Sequence, residues 1–571
     1  MYPSRLLPAT HDCLAANLVP WLKGDFQAII APMITLQLAE SVRDAVRRTF
    51  DLEVSDIEVV PSQDGFGDFS CNVAFGLAKT LGQSPRTIAA RLAAAIDHPD
   101  VASLEAAGAG FINLTLKAGY WCELLQRLDG DFGRSDVGAG TKVQVEFISA
   151  NPTGPLTLAN ARGGFLGDVI GNVLAYAGYD VTKEYYINDS GGQVGKLVES
   201  MQAEVGLAIE GERQYSGSYV ADLVRQVDPT AYTDQSQLAS DAVAVILTDI
   251  RRATLRLGVE FDEWTSEQEL VNDGATARML SWLDQRGLVY TKDSAVWLGS
   301  SAYGDERDRV LVRSTSQPTY LLNDLAYHFS LFTERKYDRA IKVWGADHAG
   351  QVASLKLTAE QFSPPARLEF VLIQFVRLMS EGKEVKMSKR AGTYVTIDEL
   401  IDTLENSVGP EYGAAVARWF FLMRSSDNRM DFDLALASDQ SQKNPLFYCM
   451  YAYVRAHSII KKARDGGLEA ATTAPVELAP LEIKLAKGMA QLPTVLELVA
   501  TDYGVHRLTF YAQDLAKTFQ EYYESERIIG LDAEVAASKL FVVARYIVFM
   551  DIVWKIIGIT PQTRMQQPER T

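Results

Sequence analysis

The sequence predicts an α/β protein whose central domain is a doubly wound parallel sheet, preceded by an α+β unit and followed by an all-helical unit. Strand-like and helical segments alternate from residue 142 onward, which is the pattern of a parallel sheet covered by helices. Residues 33–130 alternate helical patterns with short strand-like runs, and residues 441–570 are almost entirely helical by pattern. A chain of 571 residues is also long enough for three or four domains.

The first 130 residues divide into an extension and a compact unit. Residues 1–32 lack the continuous apolar core of a signal peptide, because polar side chains interrupt them. We interpret them as an atypical, poorly ordered N-terminal extension, or as sequence upstream of the true start. Residues 33–130 carry strand-like runs at 57–60 and 111–114 between helical patterns, which predicts a small α+β domain. Residues 131–141, rich in Gly, Asp and Ser, predict a linker.

The central domain is expected to span residues 142–440. Its predicted elements are, in order, a strand at 143–148, a helix from about 155 to 177, a strand at 181–187, a helical stretch from about 190 to 285 and a strand at 340–344. Ligands of such a sheet bind at the carboxyl ends of its strands. We therefore expect a functional site where the first strand ends.

Two segments about 230 residues apart are suited to bind phosphate groups. The first, residues 146–155, is a strand that breaks at Asn-Pro and Thr-Gly-Pro and restarts as a helix, which places backbone N–H groups at a helix N-terminus. The second is a basic loop between Gly382 and Gly392, with the sequence Lys386-Met387-Ser388-Lys389-Arg390. Two such elements predict one nucleotide held from both sides.

Together these segments resemble the two signature motifs of class I aminoacyl-tRNA synthetases, and four further segments narrow the resemblance to the arginyl-tRNA synthetase family. The four are Glu-Tyr-Tyr-Ile-Asn-Asp at 184–189, Thr-Tyr-Leu-Leu-Asn-Asp at 319–324, Val-Trp-Gly-Ala-Asp-His at 343–348 and Asp-Phe-Asp at 431–433. The match runs from about residue 35 to about 565. It implies a Rossmann-type class I synthetase catalytic domain at 142–440, an N-terminal additional tRNA-binding domain at 33–130 and a C-terminal all-α anticodon-binding domain at 441–571.

The resemblance implies a ligase that activates L-arginine with ATP to arginyl-adenylate and transfers it to the 3′-terminal adenosine of tRNA(Arg). Such a reaction is accelerated by positioning and by neutralising phosphate charge, without an acid or base from the protein. Mg²⁺ would accompany ATP, held mostly by phosphate oxygens and water rather than by a protein metal site. The residues implied as catalytic are Lys386, Lys389, Thr157 and Asn160. The residues implied as ATP-binding are Pro155, Ala159, Gly345, Asp347, His348, Met387 and Ser388.

Arginine recognition requires partners for a planar cation with five donors, and carboxylates and a hydroxyl are the chemical match. Tyr320 and Asp324 are spaced i, i+4, so a helix would put both on one face, and Glu146 ends the first strand of the sheet. The resemblance assigns the guanidinium to these three side chains. It assigns the α-amino or carboxylate end of arginine to Ser149 and Asn151. Without the resemblance, Asp324 would be interpreted as a surface charge and Tyr320 as a core aromatic.

The chain departs from the family pattern at the first motif. The pattern has His-x-Gly-His where Thr157, Leu158, Ala159 and Asn160 stand. The threonine hydroxyl and the asparagine amide still supply donors for phosphate oxygens. Ala159 adds a methyl group where a glycine would let the adenine ring approach the backbone. We predict an active enzyme, with a catalytically impaired paralogue that binds tRNA but does not adenylate as the alternative.

A structural or RNA-binding scaffold is the remaining hypothesis, and the basic loop argues against it because a scaffold has no use for those residues. The net charge of −18 opposes RNA binding only until it is divided by region. Residues 441–571 carry 15 Lys and Arg against 14 Asp and Glu, so this part is +1 and the other 440 residues are −19. Within it, Arg455 and Lys462 share a helix face, which we predict contacts tRNA.

Composition excludes several other classes. The four cysteines have no paired spacing, which argues against a disulfide framework or a zinc site and favours a reducing cytoplasm. No apolar run reaches the roughly 18 residues of a membrane helix, so no membrane partner is expected. We expect a cytoplasmic enzyme that acts as a monomer.

Overall fold

The computed structural model describes residues 34–62, 65–190, 192–209, 212–362, 365, 367–380, 382–384 and 395–564. Two predicted features therefore lie outside the described residues. One is the N-terminal extension at 1–32. The other is the basic loop with Lys386, Met387, Ser388 and Lys389.

The first unit combines an antiparallel sheet with four helices, as the alternating pattern predicted. Its elements are α1 (Ile34–Phe50), β1 (Val59–Pro61), β2 (Phe69–Cys71), α2 (Val73–Leu81), α3 (Pro85–Ala95), β3 (Val101–Ala107), β4 (Phe111–Leu116) and α4 (Ala118–Arg127). The strand order is β1-β2-β4-β3. Helix α1 buries Leu38, Val42, Ala45 and Val46, whose three- and four-residue spacing puts them on one face toward the core.

The central domain follows the linker. Its elements are β5 (Lys142–Phe147), α5 (Leu158–Tyr176), β6 (Asp180–Ile187), α6 (Gly192–Glu204), α7 (Ser218–Gln226), α8 (Gln235–Arg256), β7 (Glu263–Ser266), α9 (Glu267–Asn272), α10 (Ala275–Gln285), β8 (Val289–Lys292), β9 (Ala295–Leu298), β10 (Arg309–Val312), α11 (Tyr320–Phe329), β11 (Arg339–Gly345), α12 (Ala349–Ala359), β12 (Arg367–Ile373), β13 (Val376–Ser380), β14 (Lys383–Glu384), α13 (Ile397–Val408), α14 (Gly413–Leu422), β15 (Met430–Asp433) and α15 (Leu434–Ala437).

A five-stranded sheet of order β12-β11-β5-β6-β7 forms the middle of this domain, and all its pairings are parallel. The prediction of a doubly wound parallel sheet is confirmed. The prediction of a helical stretch from about 190 to 285 is wrong at 263–266, where β7 lies and forms the edge of the sheet. Strand β7 reads Glu-Trp-Thr-Ser and is only four residues long, so its sequence carries a weak strand signal.

Helix α5 packs unusually close to the strands below it. A Cβ atom at Gly164 would lie 2.9 Å from the Cδ1 atom of Ile148, and one at Gly163 would lie 3.3 Å from the Cδ1 atom of Ile373. Glycine at these two positions leaves room for the two isoleucine side chains. The close approach sets the height of the α5 N-terminus above the strand ends.

The C-terminal unit is a helical bundle, as predicted. Its helices are α16 (Pro445–Asp465), α17 (Pro480–Ala490), α18 (Leu492–Asp502), α19 (His506–Ser525) and α20 (Ala533–Ile557). Arg418 of α14 joins this bundle to the central domain, because its buried guanidinium donates to the Ile557 carbonyl (3.0 Å) at the end of α20 and pairs with Asp168 of α5. Among the described helices, none has the length and apolarity needed to cross a bilayer.

Candidate active site at the ends of the parallel strands

A cavity of about 600 Å³ lies at the carboxyl ends of β5, β6, β11 and β12. This is the place that the sheet topology predicts for a ligand. Ten of the residues proposed from sequence line it: Glu146, Ser149, Asn151, Ala159, Asn160, Tyr320, Asp324, Gly345, Asp347 and His348. Pro155 and Thr157 do not line it, and the loop residues 386–389 lie outside the described part of the chain.

The chain leaves β5 through a strained turn. Ile148 and Ser149 have φ angles of 65° and 40°, a left-handed conformation that is unfavourable for a β-branched residue such as isoleucine. Neighbouring residues of β6 and its end hold the turn in place. The Tyr186 N–H donates to Ser149 Oγ at 3.1 Å, and Asn188 Nδ2 donates to the Ser149 carbonyl at 2.9 Å. The strain is therefore fixed by the sheet at the edge of the cavity.

The first turn of α5 carries the altered motif. Asn160 Oδ1 accepts hydrogen bonds from both the backbone N–H and the hydroxyl of Thr157, each at 2.8 Å. Because a backbone N–H can only donate, the acceptor must be the oxygen of the amide, which fixes the orientation of the Asn160 side chain. Its Nδ2 group has no partner among the described residues. Ala159 is exposed to the cavity.

The start of α5 is also joined to the segment that follows the basic loop. The Leu158 N–H donates to the Val395 carbonyl at 3.3 Å, and the Ile397 N–H donates to the Leu156 carbonyl at 2.9 Å. Thr157 and Thr396 form an antiparallel bridge between them. The chain therefore enters α13 beside the start of α5, directly after residues 385–394.

Glu146 ends β5 opposite Lys342 of β11 in the parallel register. Side chains at matched positions of adjacent strands point to the same face, so the two groups meet. The Lys342 Nζ atom lies 3.0 Å from Glu146 Oε2, and both side chains are buried. The ammonium also lies 4.3 Å from the centre of the Tyr327 ring. Sequence reasoning missed Lys342, because a lysine in a strand is usually a solvated edge residue.

Two further carboxylates complete this part of the wall. Asp324 lies on α11 one turn after Tyr320, as the spacing predicted. Burial and the neighbouring Glu267 and Glu146 carboxylates raise the pKa of Asp324 to about 8. Glu267 begins α9, is buried, and accepts from Asn323 Nδ2 at 2.5 Å. Burial raises the pKa of Glu267 as well.

Glu267 was also missed by sequence reasoning. It follows β7 directly, and that strand was hidden inside the stretch expected to be helical. Its signal was its position, because the residue after a parallel strand lies at the ligand-binding edge of the sheet. The cavity lining thus includes four carboxylates, those of Glu146, Glu267, Asp324 and Asp347, while the Lys342 ammonium pairs with Glu146 behind the lining. Such an arrangement attracts a cation.

Aromatic and polar groups form another part of the wall. The Trp344 ring lies 5.6 Å from the His348 ring between centroids, and His348 Nε2 lies 3.7 Å from Asp347 Oδ2. Phe375, which sequence reasoning did not single out, also lines the cavity, and 64% of its surface is exposed. An exposed aromatic face at the edge of a cavity offers a surface on which a planar ring can stack.

The two basic residues predicted to contact tRNA occupy different environments on α16. The Arg455 guanidinium lies 4.5 Å from the centre of the Tyr523 ring, and it bonds to Gln520 of α19. Lys462 is exposed. Arg455 therefore contributes to packing between two helices, whereas Lys462 is open to a partner.

Comparisons with known proteins extend over most of the chain. Residues 36–116 match the family model described as the arginyl tRNA synthetase N terminal domain, and residues 449–565 match the DALR anticodon binding domain. The arginine–tRNA ligase of Moorella thermoacetica is 40% identical over 552 residues, which covers 92% of this chain and 97% of the relative. That of a Geobacter species is 38% identical over 532 residues, covering 88% and 94%. The solved arginyl-tRNA synthetase of Thermus thermophilus has a similar fold, with a TM-score of 0.76 at 20% identity, covering 93% and 100%.

Proposed function

We propose that the cavity at the ends of the parallel strands is where arginine is activated, because this chain belongs to the arginyl-tRNA synthetase family. It is therefore an arginine–tRNA ligase, whose substrates are tRNA(Arg), arginine and ATP. The catalytically impaired alternative has no support in the comparisons. The observation that carries the proposal is the gathering of Glu146, Glu267 and Asp324 around one ligand-sized space.

The carboxylate cluster is proposed to bind the guanidinium of arginine. Asp324 and Glu267 supply acceptors that can pair with its planar array of donors, and the Tyr320 hydroxyl adds a further polar contact. Glu146 already pairs with Lys342, so it contributes mainly negative charge to the wall. Ser149 and Asn151, on the strained turn, are proposed to contact the α-amino or carboxylate end. A side chain lacking the cation would leave buried carboxylates uncompensated, which favours arginine over other amino acids.

ATP is proposed to bind beside the start of α5. The Asn160 Nδ2 group, which none of the described residues contacts as an acceptor, would donate to a phosphate oxygen, and the N-terminus of the helix favours negative charge. Thr157 uses its hydroxyl to bond Asn160, so it acts by fixing that amide rather than by touching ATP. Gly345, Asp347 and His348 are proposed to contact the nucleoside part. Pro155 would shape the approach to the helix.

The basic loop is proposed to complete the phosphate site. Lys386 and Lys389 would neutralise charge that develops as pyrophosphate leaves, with Met387 and Ser388 adding contacts. Mg²⁺ bound to the ATP phosphates would supply further neutralisation. Among the residues the structure describes, no three His, Cys, Asp or Glu side chains are placed to hold one metal ion together. The ion is proposed to be held mainly by phosphate oxygens and water.

Transfer RNA is proposed to span the two outer units. The α+β unit would serve as the additional tRNA-binding domain and residues 441–571 as the anticodon-binding domain, with Lys462 on its exposed face. Arg455 would support that face through its packing on α19. We further propose a monomer that acts in the cytoplasm.

The test is aminoacylation of tRNA by the purified protein with each amino acid in turn, and pyrophosphate exchange with tRNA present. We expect arginine alone to be used. Asp324→Asn keeps the shape of the side chain and removes its charge, so arginine-dependent activity should fall by on the order of 10²-fold. Asp284→Asn makes the same change at an exposed position of α10 and should leave activity unchanged. Equal activity of the two variants would remove Asp324 from the arginine site.

A further inference from the structure

The arginine pocket carries more negative groups than positive ones among its described residues. Glu146, Glu267 and Asp324 approach it from three different elements, and Lys342 is the single ammonium beside them. Carboxylates gathered in a buried site cannot all ionise without compensating cations. The contacts of each carboxylate show which group balances its negative charge.

Two of the three carboxylates have partners. Glu146 pairs with Lys342 at 3.0 Å, and both side chains are buried. Glu267 accepts a hydrogen bond from Asn323 Nδ2 at 2.5 Å and stands at the first position of α9. The donated hydrogen bond favours the ionised form of Glu267 and opposes the burial that raises its pKa.

Asp324 is the carboxylate without such help. Neither a cation nor a hydrogen-bond donor contacts its side-chain oxygens among the described residues. Its other titratable neighbours cannot supply charge. Burial raises the pKa of Tyr186 well above its ordinary value, and burial lowers that of His328 well below its own, so both rings stay neutral near pH 7. The contact of His328 with Asp324 is to the backbone carbonyl, through Nδ1 at 2.6 Å.

We propose that Lys342 sets the charge balance of the pocket by pairing with Glu146, so that arginine enters in exchange for a single proton carried by Asp324. The inference rests on the proposed function of this cavity. It makes Lys342 a positioning residue for arginine recognition, since it acts on Glu146 and not on the substrate. The guanidinium takes the place of the proton, and the proton leaves to solvent.

The exchange predicts a definite pH dependence. With an Asp324 pKa of about 8, the empty pocket is protonated to about 90% at pH 7, so binding releases about 0.9 proton there and about half a proton at pH 8. The apparent dissociation constant should be about 50-fold weaker at pH 6 than at pH 8, because protonation competes with arginine. Arginine binding strengthens as pH rises, because the carboxyl of the empty pocket has the raised pKa and the guanidinium binds the ionised carboxylate.

Calorimetric titration of arginine into the full-length protein measures this directly. Titrations at pH 7 in phosphate and in Tris, which differ in ionisation enthalpy, give the number of protons released per arginine bound. Binding with release of about 0.9 proton supports the inference. Binding without proton release overturns the inference and leaves the proposed function intact, whereas absence of arginine binding overturns both.

Two variants assign the proton and the role of Lys342. Asp324→Asn should bind arginine more weakly and release almost no proton, and undiminished release would place the proton elsewhere. Lys342→Met removes the ammonium, so it should release more protons at pH 8 than the wild type. Lys356→Met makes the same change at an exposed position of α12 and should match the wild type. If Lys342→Met also matches it, Lys342 does not set the charge balance; if that variant fails to fold, the wild type and Asp324→Asn still decide the exchange.

Discussion

Asn160 is proposed to perform two tasks, and two substitutions can separate them. Its oxygen accepts from the Thr157 N–H and hydroxyl, which caps α5, while its Nδ2 group has no partner within the described part of the chain. Asn160→Asp keeps the accepting oxygen and removes the donor. Asn160→Leu removes both. The pair therefore distinguishes a structural cap from a contact to ATP.

The expected effects of the two variants on turnover differ from their effects on the free energy of unfolding. Loss of one preorganised donor to developing charge lowers turnover by about 10²- to 10³-fold, so both variants should lose pyrophosphate exchange to that degree. Asn160→Asp should lose at least as much pyrophosphate exchange activity as Asn160→Leu, because its carboxylate also repels phosphate. The free energy of unfolding should stay within about 0.5 kcal/mol for Asn160→Asp, since the cap remains, and fall by about 1 kcal/mol for Asn160→Leu.

Pyrophosphate exchange with tRNA present and chemical denaturation are the two assays. Asn272→Asp serves as the control, because that exposed amide oxygen likewise accepts a side-chain hydrogen bond, from Gln268 at 3.0 Å. Full exchange activity in Asn160→Asp would refute the assignment of Nδ2 to ATP. An activity loss confined to Asn160→Leu would show that only the cap matters.

Three further outcomes are expected. Ala159→Gly should leave the Michaelis constant for ATP unchanged or lower it, because it removes an exposed methyl group from the cavity wall; a marked rise would contradict this. Lys389→Ala should slow adenylate formation by on the order of 10²-fold with little change in arginine affinity, as measured by single-turnover kinetics; the reverse pattern would exclude a role in the transition state. Lys462→Glu should weaken tRNA binding and flatten its salt dependence without loss of stability, whereas Arg455→Glu should also destabilise the bundle; an unchanged salt slope in both would place the docking face elsewhere.

The fold was predictable where hydrophobic pattern and topology agree. The inner strands β5, β6 and β11 each carry several β-branched or aromatic residues, and the bounds of each were located within one residue. Edge strands are different, because only one side of a strand such as β7 pairs with the sheet and its residues are half exposed. Strand β7 reads Glu-Trp-Thr-Ser, without a run of apolar residues, and was not predicted. The antiparallel strands β8 to β10 have only four residues each and were not predicted either.

The site was predictable where a motif places side chains by local geometry. Tyr320 and Asp324 required only helical spacing, and both line the cavity. Lys342 and Glu267 could not be found in this way, because their roles depend on which strands are neighbours. Lys342 reaches Glu146 only through the β5–β11 register, nearly 200 residues apart in sequence.

The joint between α5 and α13 explains why the altered first motif need not abolish catalysis. Backbone hydrogen bonds hold Val395 and Ile397 against the start of α5, so the residue directly after segment 385–394 is fixed where the cavity wall begins. Phosphate charge at that wall would meet a helix N-terminus, the Asn160 amide and the lysines of the basic loop. Replacing the two imidazoles by Thr157 and Asn160 would then leave the Asn160 amide as one donor within a larger set of groups that stabilise negative charge. A reaction that depends on summed neutralisation should be slowed in proportion to the donors lost rather than stopped.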